Sequence, residues 1–383
     1  PASPGAPLEY PSNTELARRL KDLAHNQPDM LRLNTLALSL GKSDVWLVEL
    51  GKGSDEQRAQ RPAFLLVAGI EGNDLAGTVS ALTWMEQLTS GVDQPDTIRR
   101  LLETTTIYVC HRLNPDAAER YFARPRWEQS VDTRPVDDDH DGLVDEDGPE
   151  DLNGDGLITA MRVEDPEGEY LLDPADARLL VKADKAKGEK GAWRLLAEGT
   201  DNDKDEQWNE DGLGGVNFNR NFPFDYRFFT PGSGTFPLSE PVTKALADFA
   251  IAHPNIGMVF TFGAADNVLK PPKSEPGDKE PLTAISEADL PYVRELGKAW
   301  RDTLGLKKEL DGSSEPGTFS DWMYFHRGRL SLAARAWSPA LALAFDEKKD
   351  EKSPAEPTKL DAQLKDRNEE KTNSTLQILT VKE

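Results

Sequence analysis

Ala63-Phe64-Leu65-Leu66-Val67-Ala68 is an unbroken apolar run, and Gly69-Ile70-Glu71-Gly72-Asn73-Asp74 separates it from a helical pattern over Leu75 to Leu88. A short run that is apolar at every position reads as a central strand buried on both faces. The loop that follows belongs at the carboxyl end of that strand, which is where open α/β sheets carry their ligands. The same alternation extends outward in both directions. Val45 to Leu50, Thr105 to Cys110, Ile256 to Phe262 and Leu330 to Trp337 read as strands. Leu16 to Leu23, Val242 to Ala252 and Leu290 to Leu304 have apolar residues at helical spacing, the first behind a candidate cap at Asn13-Thr14. Strands alternating with helices predict an α/β fold with a mixed central sheet.

The chain of 383 residues carries a formal charge of −23, with 37% hydrophobic residues. That balance argues against nucleic acid, whose phosphates call for Lys and Arg, and against an anionic membrane surface. The acid is concentrated: ten Asp or Glu fall between Asp137 and Asp155 and six more between Asp201 and Asp211, out of 68 in the chain. Density of that kind points to local function or local cation binding rather than to general solubility. Cys110 is the single cysteine, so no intrachain disulfide forms, and its apolar setting reads as a small buried hydrophobe. No apolar stretch reaches the roughly 18 residues that a membrane helix needs.

Glu71 and its neighbours are similar to the zinc carboxypeptidase segment Gly-x-His-Gly-x-Glu-x-x-Gly, whose His and Glu hold the metal. Four more segments follow in that family's order. Arg112-Leu-Asn-Pro-Asp116 resembles its Asn-Pro-Asp-Gly turn, and Gly215-Val-Asn-Phe-Asn-Arg-Asn-Phe-Pro223 resembles the segment whose Asn-Arg pair grips a substrate carboxylate. His253-Pro-Asn-Ile with Phe260-Thr-Phe-Gly263 resembles the strand carrying the third zinc ligand. Gly317 to Tyr324, running to Ala334-Arg-Ala-Trp337, resembles the strand carrying the general-base Glu. The resemblance spans roughly residues 10 to 340. It implies a three-layer α/β/α sandwich in one domain over 13–345, with an acidic insertion over about 125–215; by composition, 1–12 reads as a flexible Pro-rich lead-in and 346–383 as a polar Lys/Glu/Asp/Pro-rich tail or linker.

Departures from the family pattern fall on its chemistry. The His-x-x-Glu pair reads Glu71-x-x-Asp74, the third ligand position falls at or beside Gly263, and the base position is Arg335. Catalytic zinc takes three protein ligands and an open water position, and a guanidinium cannot accept a proton. None of the five His lies at a ligand position. Zinc is therefore not expected, and a pairing of Arg335 with Glu71 and Asp74 would put a fixed cation in the metal's place. Two other readings stay open: that these acids cap the helix starting near Leu75, where they suit the positive end of the helix dipole, or that they bind a different metal. Asn219 and Arg220 match the carboxylate-gripping pair, so a peptide C-terminus is a candidate ligand, with Arg220 as a structural ion-pair partner as the alternative. Arg124, Arg126 and Arg134 are the candidates for a second substrate arginine.

Asp137-x-Asp139-x-Asp141-Gly142-x-x-Asp145-x-Asp147 sets carboxylates at alternate positions before a turn glycine, as a calcium loop does, because Ca²⁺ takes six to eight hard oxygens. Asp151-x-Asn153-x-Asp155-Gly156-x-Ile158 repeats the scheme, and Asp201-x-Asp203-x-Asp205 makes a third copy without its glycine. The bidentate Glu of the helix-loop-helix hand is missing; Gly148, Arg162 and Gly212 stand at those places. Calcium, more than one ion, is the expected cofactor. The start Pro1-Ala-Ser-Pro-Gly-Ala-Pro7 reads as the end left by signal-peptide removal, so a secreted, periplasmic or cell-surface location is expected. Three functions fit: a catalytically inactive carboxypeptidase-like binding or structural protein, an active peptidase with a rearranged metal site, and a calcium-dependent surface or matrix protein.

Overall fold

A computed structural model describes residues 9–341 and 379–381, apart from 91–94, 138–141, 146, 175, 203, 205–207, 210–213, 278–281, 307–311, 314 and 339–340. In chain order, α1 (Asn13–Asn26) leads into β1 (Leu31–Leu38), β2 (Asp44–Leu50), α2 (Asp55–Gln60), β3 (Ala63–Val67), α3 (Leu75–Thr89), α4 (Asp96–Thr104), β4 (Thr106–Cys110) and α5 (Pro115–Arg120). There follow β5 (Ala160–Glu164), β6 (Tyr170–Leu172), β7 (Leu180–Lys182) and β8 (Trp193–Ala197). The chain then forms α6 (Pro241–Ala252), β9 (Ile256–Phe262), β10 (Ser274–Glu275), β11 (Ile285–Ser286), α7 (Leu290–Leu304), α8 (Phe319–Phe325) and β12 (Leu330–Ala334), with β13 (Leu379–Val381) last. The helix α1 is capped by Ser12, one residue ahead of the expected place, through its hydroxyl to the Glu15 N–H.

Two compact units result. Among the described residues, the first takes those within 9–122, 128–134 and 215–341, and the second those within 123–127, 135–214 and 379–381. The first holds a six-stranded sheet in the order β1-β2-β4-β3-β9-β12. β1, β2 and β4 pair antiparallel, while β4, β3, β9 and β12 run parallel, which makes the sheet mixed as the sequence predicts. Alternate residues of β3 face opposite sides. Leu65 and Val67 join Leu246, Phe319 and Trp322 from α6 and α8 in one core, while Leu66 and Ala68 join Leu20, Leu82 and Met85 from α1 and α3 in the other. Two dry cores on the two faces of one sheet give the helix–sheet–helix layering.

The second unit carries a sheet of its own, in the order β13-β5-β8-β6-β7. The sequence marks an acidic insertion over about 125–215 and no strand within it. Strands of three to five residues, with a pattern such as intermediate-exposed-exposed in β7, bury too little to print an alternation that can be read. Within the tail, Leu379–Val381 pairs parallel with β5. No described helix is long and apolar enough to cross a membrane.

Candidate functional site

β3, β9 and β12 lie side by side and parallel, so their carboxyl ends deliver Glu71, Gly263 and Arg335 to one place. Val67 pairs with Thr261, and Ala334 pairs with Phe262, which sets Arg335 in register beside Gly263. All four positions singled out in the sequence gather here. Asp74 caps α3, its Oδ1 accepting the Gly77 N–H at 2.9 Å, as the helix-capping alternative expects. Its Oδ2 is buried without a hydrogen-bond partner.

Glu71 does something else. Its side chain is 4% exposed. Oε1 accepts from the Asn219 amide at 2.8 Å, and Oε2 from the Ala264 N–H at 3.3 Å. A Cβ built on Gly263 would stand 2.5 Å from that same Oε2. The Glu71 carboxylate thus fills the space into which a side chain at position 263 would grow. Burial, with Asp74 close by, pushes Glu71 up to about 7, and burial pushes Asp74 up to about 6. Desolvation penalises the charged form of each, and the few donors present only partly offset it.

Arg335 does not pair with either acid, which corrects the expectation of a guanidinium replacing the metal. Its Nε donates to the Ala264 carbonyl at 2.7 Å, and its backbone N–H donates to Asp266 Oδ2 at 3.1 Å. The physical reason is cost. A neutral Asn219 amide satisfies Glu71 without dragging a second charge out of water, and a buried ion pair pays heavily for desolvation.

Asn219 is engaged at both ends of its amide, since its Oδ1 also accepts the Phe319 N–H at 3.1 Å. Arg220 is bound to Glu315, Nη2 to Oε2 at 2.6 Å and Nε to the same oxygen at 2.9 Å. Asn219 and Arg220, the pair expected to grip a substrate carboxylate, are therefore both engaged within the chain. Arg134 is likewise held, with its Nε on Glu240 Oε1 at 2.7 Å. A feature that the sequence did not reveal lies next to this cluster. A cavity of about 480 Å³ is lined by Asp225, Asp266, Lys270, Glu315, Ser320 and Asp321 among others. It assembles from segments far apart in the chain that share no motif, and burial pushes its Asp321 up.

In the second unit the loop over Asp151 to Asp155 turns its oxygens onto its own backbone. Asp151 accepts from Gly154, Asp155 and Gly156 N–H groups at 2.8 to 3.1 Å, and Asn153 Oδ1 accepts from Asp155 at 2.8 Å. Glycines 154 and 156 take the left-handed conformation, φ 72° and 84°. Asp147 is fully buried and accepts the Asn202 N–H at 2.9 Å, while Asp145 accepts from Val136 at 3.4 Å and Asp137 from Gly142 at 3.2 Å. Asp201 accepts the Lys204 N–H. Asp139, Asp141, Asp203 and Asp205 lie outside the described residues. Among the described residues no group of three or more His, Cys, Asp or Glu is placed to hold a metal ion.

The sequence model of the zinc carboxypeptidase family matches residues 16–139 and 184–341. The chain belongs to that family. Mouse carboxypeptidase D is 31% identical over 111 residues, a stretch that covers 29% of this chain and 8% of that protein, and mouse carboxypeptidase M is 27% identical over 100 residues, 26% of this chain and 23% of that protein. The matches thus take in a small share of the length of these curated relatives. Among solved structures, bovine thrombin-activatable fibrinolysis inhibitor in complex with a tick carboxypeptidase inhibitor aligns at TM-score 0.52 and 14% identity, over 85% of this chain and 86% of that one. The carboxypeptidase A of Helicoverpa armigera aligns at TM-score 0.54 and 12% identity, over 88% of this chain and 69% of that one. These likenesses establish the fold.

Zinc carboxypeptidases take their name from a metal, and the donor set here does not fit it. Catalytic zinc needs three protein ligands and an open position. At the strand ends two carboxylates are present, one with both oxygens already accepting, and the third position has no side chain.

Proposed function

We propose that this chain is a non-hydrolytic member of the zinc carboxypeptidase family that binds a peptide-like ligand in the family's cleft, outside the cytoplasm, with structural calcium in its acidic segment. The observation that carries the reading is the Glu71 carboxylate, buried against Gly263 and tied to Asn219 and Ala264 where a metal and its water would have to sit. Arg335, at the base position, cannot take a proton from water. A ligand would rest in the adjoining cavity, whose Asp225, Asp266, Glu315 and Asp321 outnumber Lys270 and Lys273 and favour a basic group. Incubation with peptides bearing free or amidated C-termini, with zinc added, tests the loss of chemistry. No release of C-terminal residues and no stoichiometric zinc are expected. Chelator-sensitive release from the free-ended peptide alone would instead support an active enzyme with a rearranged metal.

The calcium part rests on the repeated Asp-x-Asn/Asp-x-Asp-Gly spacing and on the tight turns at Gly154 and Gly156. Ions that bind only the folded state stabilise it in proportion to RT ln(1 + [L]/Kd). Chelation should therefore lower the melting temperature by several degrees, and readdition of Ca²⁺ should restore it. A melting curve indifferent to chelator would remove calcium from the proposal.

A further inference from the structure

His111 and Arg112 follow directly on β4, which runs parallel beside β3. His111 is 0% exposed and Arg112 3% exposed. Neither ring nitrogen of His111 has a hydrogen-bond partner, and Arg112 Nε also lacks one. Buried polar atoms without partners are uncommon in folded proteins, and each calls for something to meet it. The Arg112 guanidinium spends its other nitrogens on neutral acceptors, Asn13 Oδ1 and the Pro11 carbonyl, both at 2.8 Å. Among the described residues it makes no ion pair.

These two residues line a cavity of about 230 Å³ between α1 and β2, together with Lys21, Lys42, Asp44 and Trp46. Lys21 Nζ stands 5.1 Å from the Trp46 ring centroid, which anchors it at the rim. Three cations, Lys21, Lys42 and Arg112, face one carboxylate, Asp44, among the lining residues. In a chain with a net charge of −23, a concave spot with a positive excess is against the trend. Burial, with Arg112 and Arg19 near, pushes His111 down to about 3, while Arg112 is pushed down only to about 10. Near neutral pH the site thus offers a neutral imidazole, which can donate from one nitrogen, beside a charged guanidinium.

We propose that this cavity binds a small oxyanion, a phosphate or carboxylate group, held by Lys21, Lys42 and Arg112 with His111 donating from the buried side. Charge-assisted hydrogen bonds to such an anion are about twice as strong as neutral ones. The proposal is independent of the carboxypeptidase reading, because none of its residues belongs to the strand-end cluster.

Calorimetric titration of the whole chain with sodium phosphate and with sodium acetate, against chloride at matched ionic strength, tests it. Saturable one-to-one binding of either anion is expected. The doubly substituted Lys21→Ala, Lys42→Asn protein should bind at least tenfold more weakly. Asn is chosen at position 42 because the backbone there has φ 65°, which Asn tolerates. Both lysines are exposed, so the fold survives the change, and an unaltered melting curve would establish that. A Lys270→Ala protein, altered in the other cavity, should bind the anion normally. Absence of saturable binding by both anions, or binding that the double substitution leaves unchanged, overturns the proposal.

Discussion

Two buried glutamates, one in each unit, solve the same problem in opposite ways. Glu198 is 0% exposed and meets four donors: the N–H groups of Leu152, Asn153 and Thr159 and the Thr159 hydroxyl, at 2.9 to 3.2 Å. Glu71 is nearly as buried and meets two, the Asn219 amide and the Ala264 N–H. Hydrogen bonds to the charged form favour it and desolvation opposes it, so the donor count decides how comfortable a buried carboxylate is. Glu198 fastens an irregular loop that has few apolar contacts of its own. Glu71 sits in a pocket that its neighbours only half satisfy, and it is pushed up to about 7. The difference separates a residue that organises backbone from one that occupies a space.

Removal of the better-satisfied carboxylate should cost most. Glu198→Ala leaves three backbone N–H groups without an acceptor and should cost roughly 4 kcal/mol locally. Hydrogen exchange at Leu152, Asn153 and Thr159 reads this directly, and retained protection there would break the comparison. The next effect is on pH dependence. A carboxyl whose pKa is raised by folding carries no penalty below its unfolded value and the full penalty above its folded one. Stability should accordingly fall as pH rises from 4.5 to about 7 through Glu71, and from 3.8 to about 6 through Asp74. For Glu71 alone this is on the order of 3 kcal/mol. Denaturation midpoints between those pH values should show the slope in the parent protein and a flatter one in Glu71→Gln; equal slopes would clear Glu71 of the role.

Gly263→Ala comes third. The added Cβ meets Glu71 Oε2 at 2.5 Å and should cost about 2 kcal/mol through overpacking. Paired with Glu71→Ala, the loss should shrink, so that the double variant loses less than the sum of the two single ones. Additive losses would mean that the two positions do not share one space. The smallest effect belongs to Glu315→Gln. Arg220 and Glu315 are each 35% exposed, so their pair contributes under about 1 kcal/mol. Unfolding should barely change, while peptides with a free C-terminus should bind the freed Arg220 more tightly in a fluorescence titration.

Much of the frame was legible in the sequence because it rests on local signals. The apolar run over 63–68 and the pattern over 75–88 appear as β3 and α3 within a residue or so. Ile256–Phe262 and Leu290–Leu304 have the predicted bounds. The strand at 330 is shorter than expected, ending at Ala334, because Arg335 turns out of the ladder toward the Ala264 carbonyl. β1 went unread: its burial runs intermediate and exposed over most of its length, as suits an edge strand.

The site divides along the same line. That Glu71, Asp74, Gly263 and Arg335 belong to one cluster was expected from residue types in order along the chain, and the parallel strands bring them together. Their partners were decided by three-dimensional packing. Asn219 reaches Glu71 across 148 residues of sequence, and Glu315 reaches Arg220 across 95. Residue type states which charge each side chain brings. Only the folded chain determines which neighbour meets it, because burial makes every unmatched polar atom costly and the final arrangement is the one that leaves fewest.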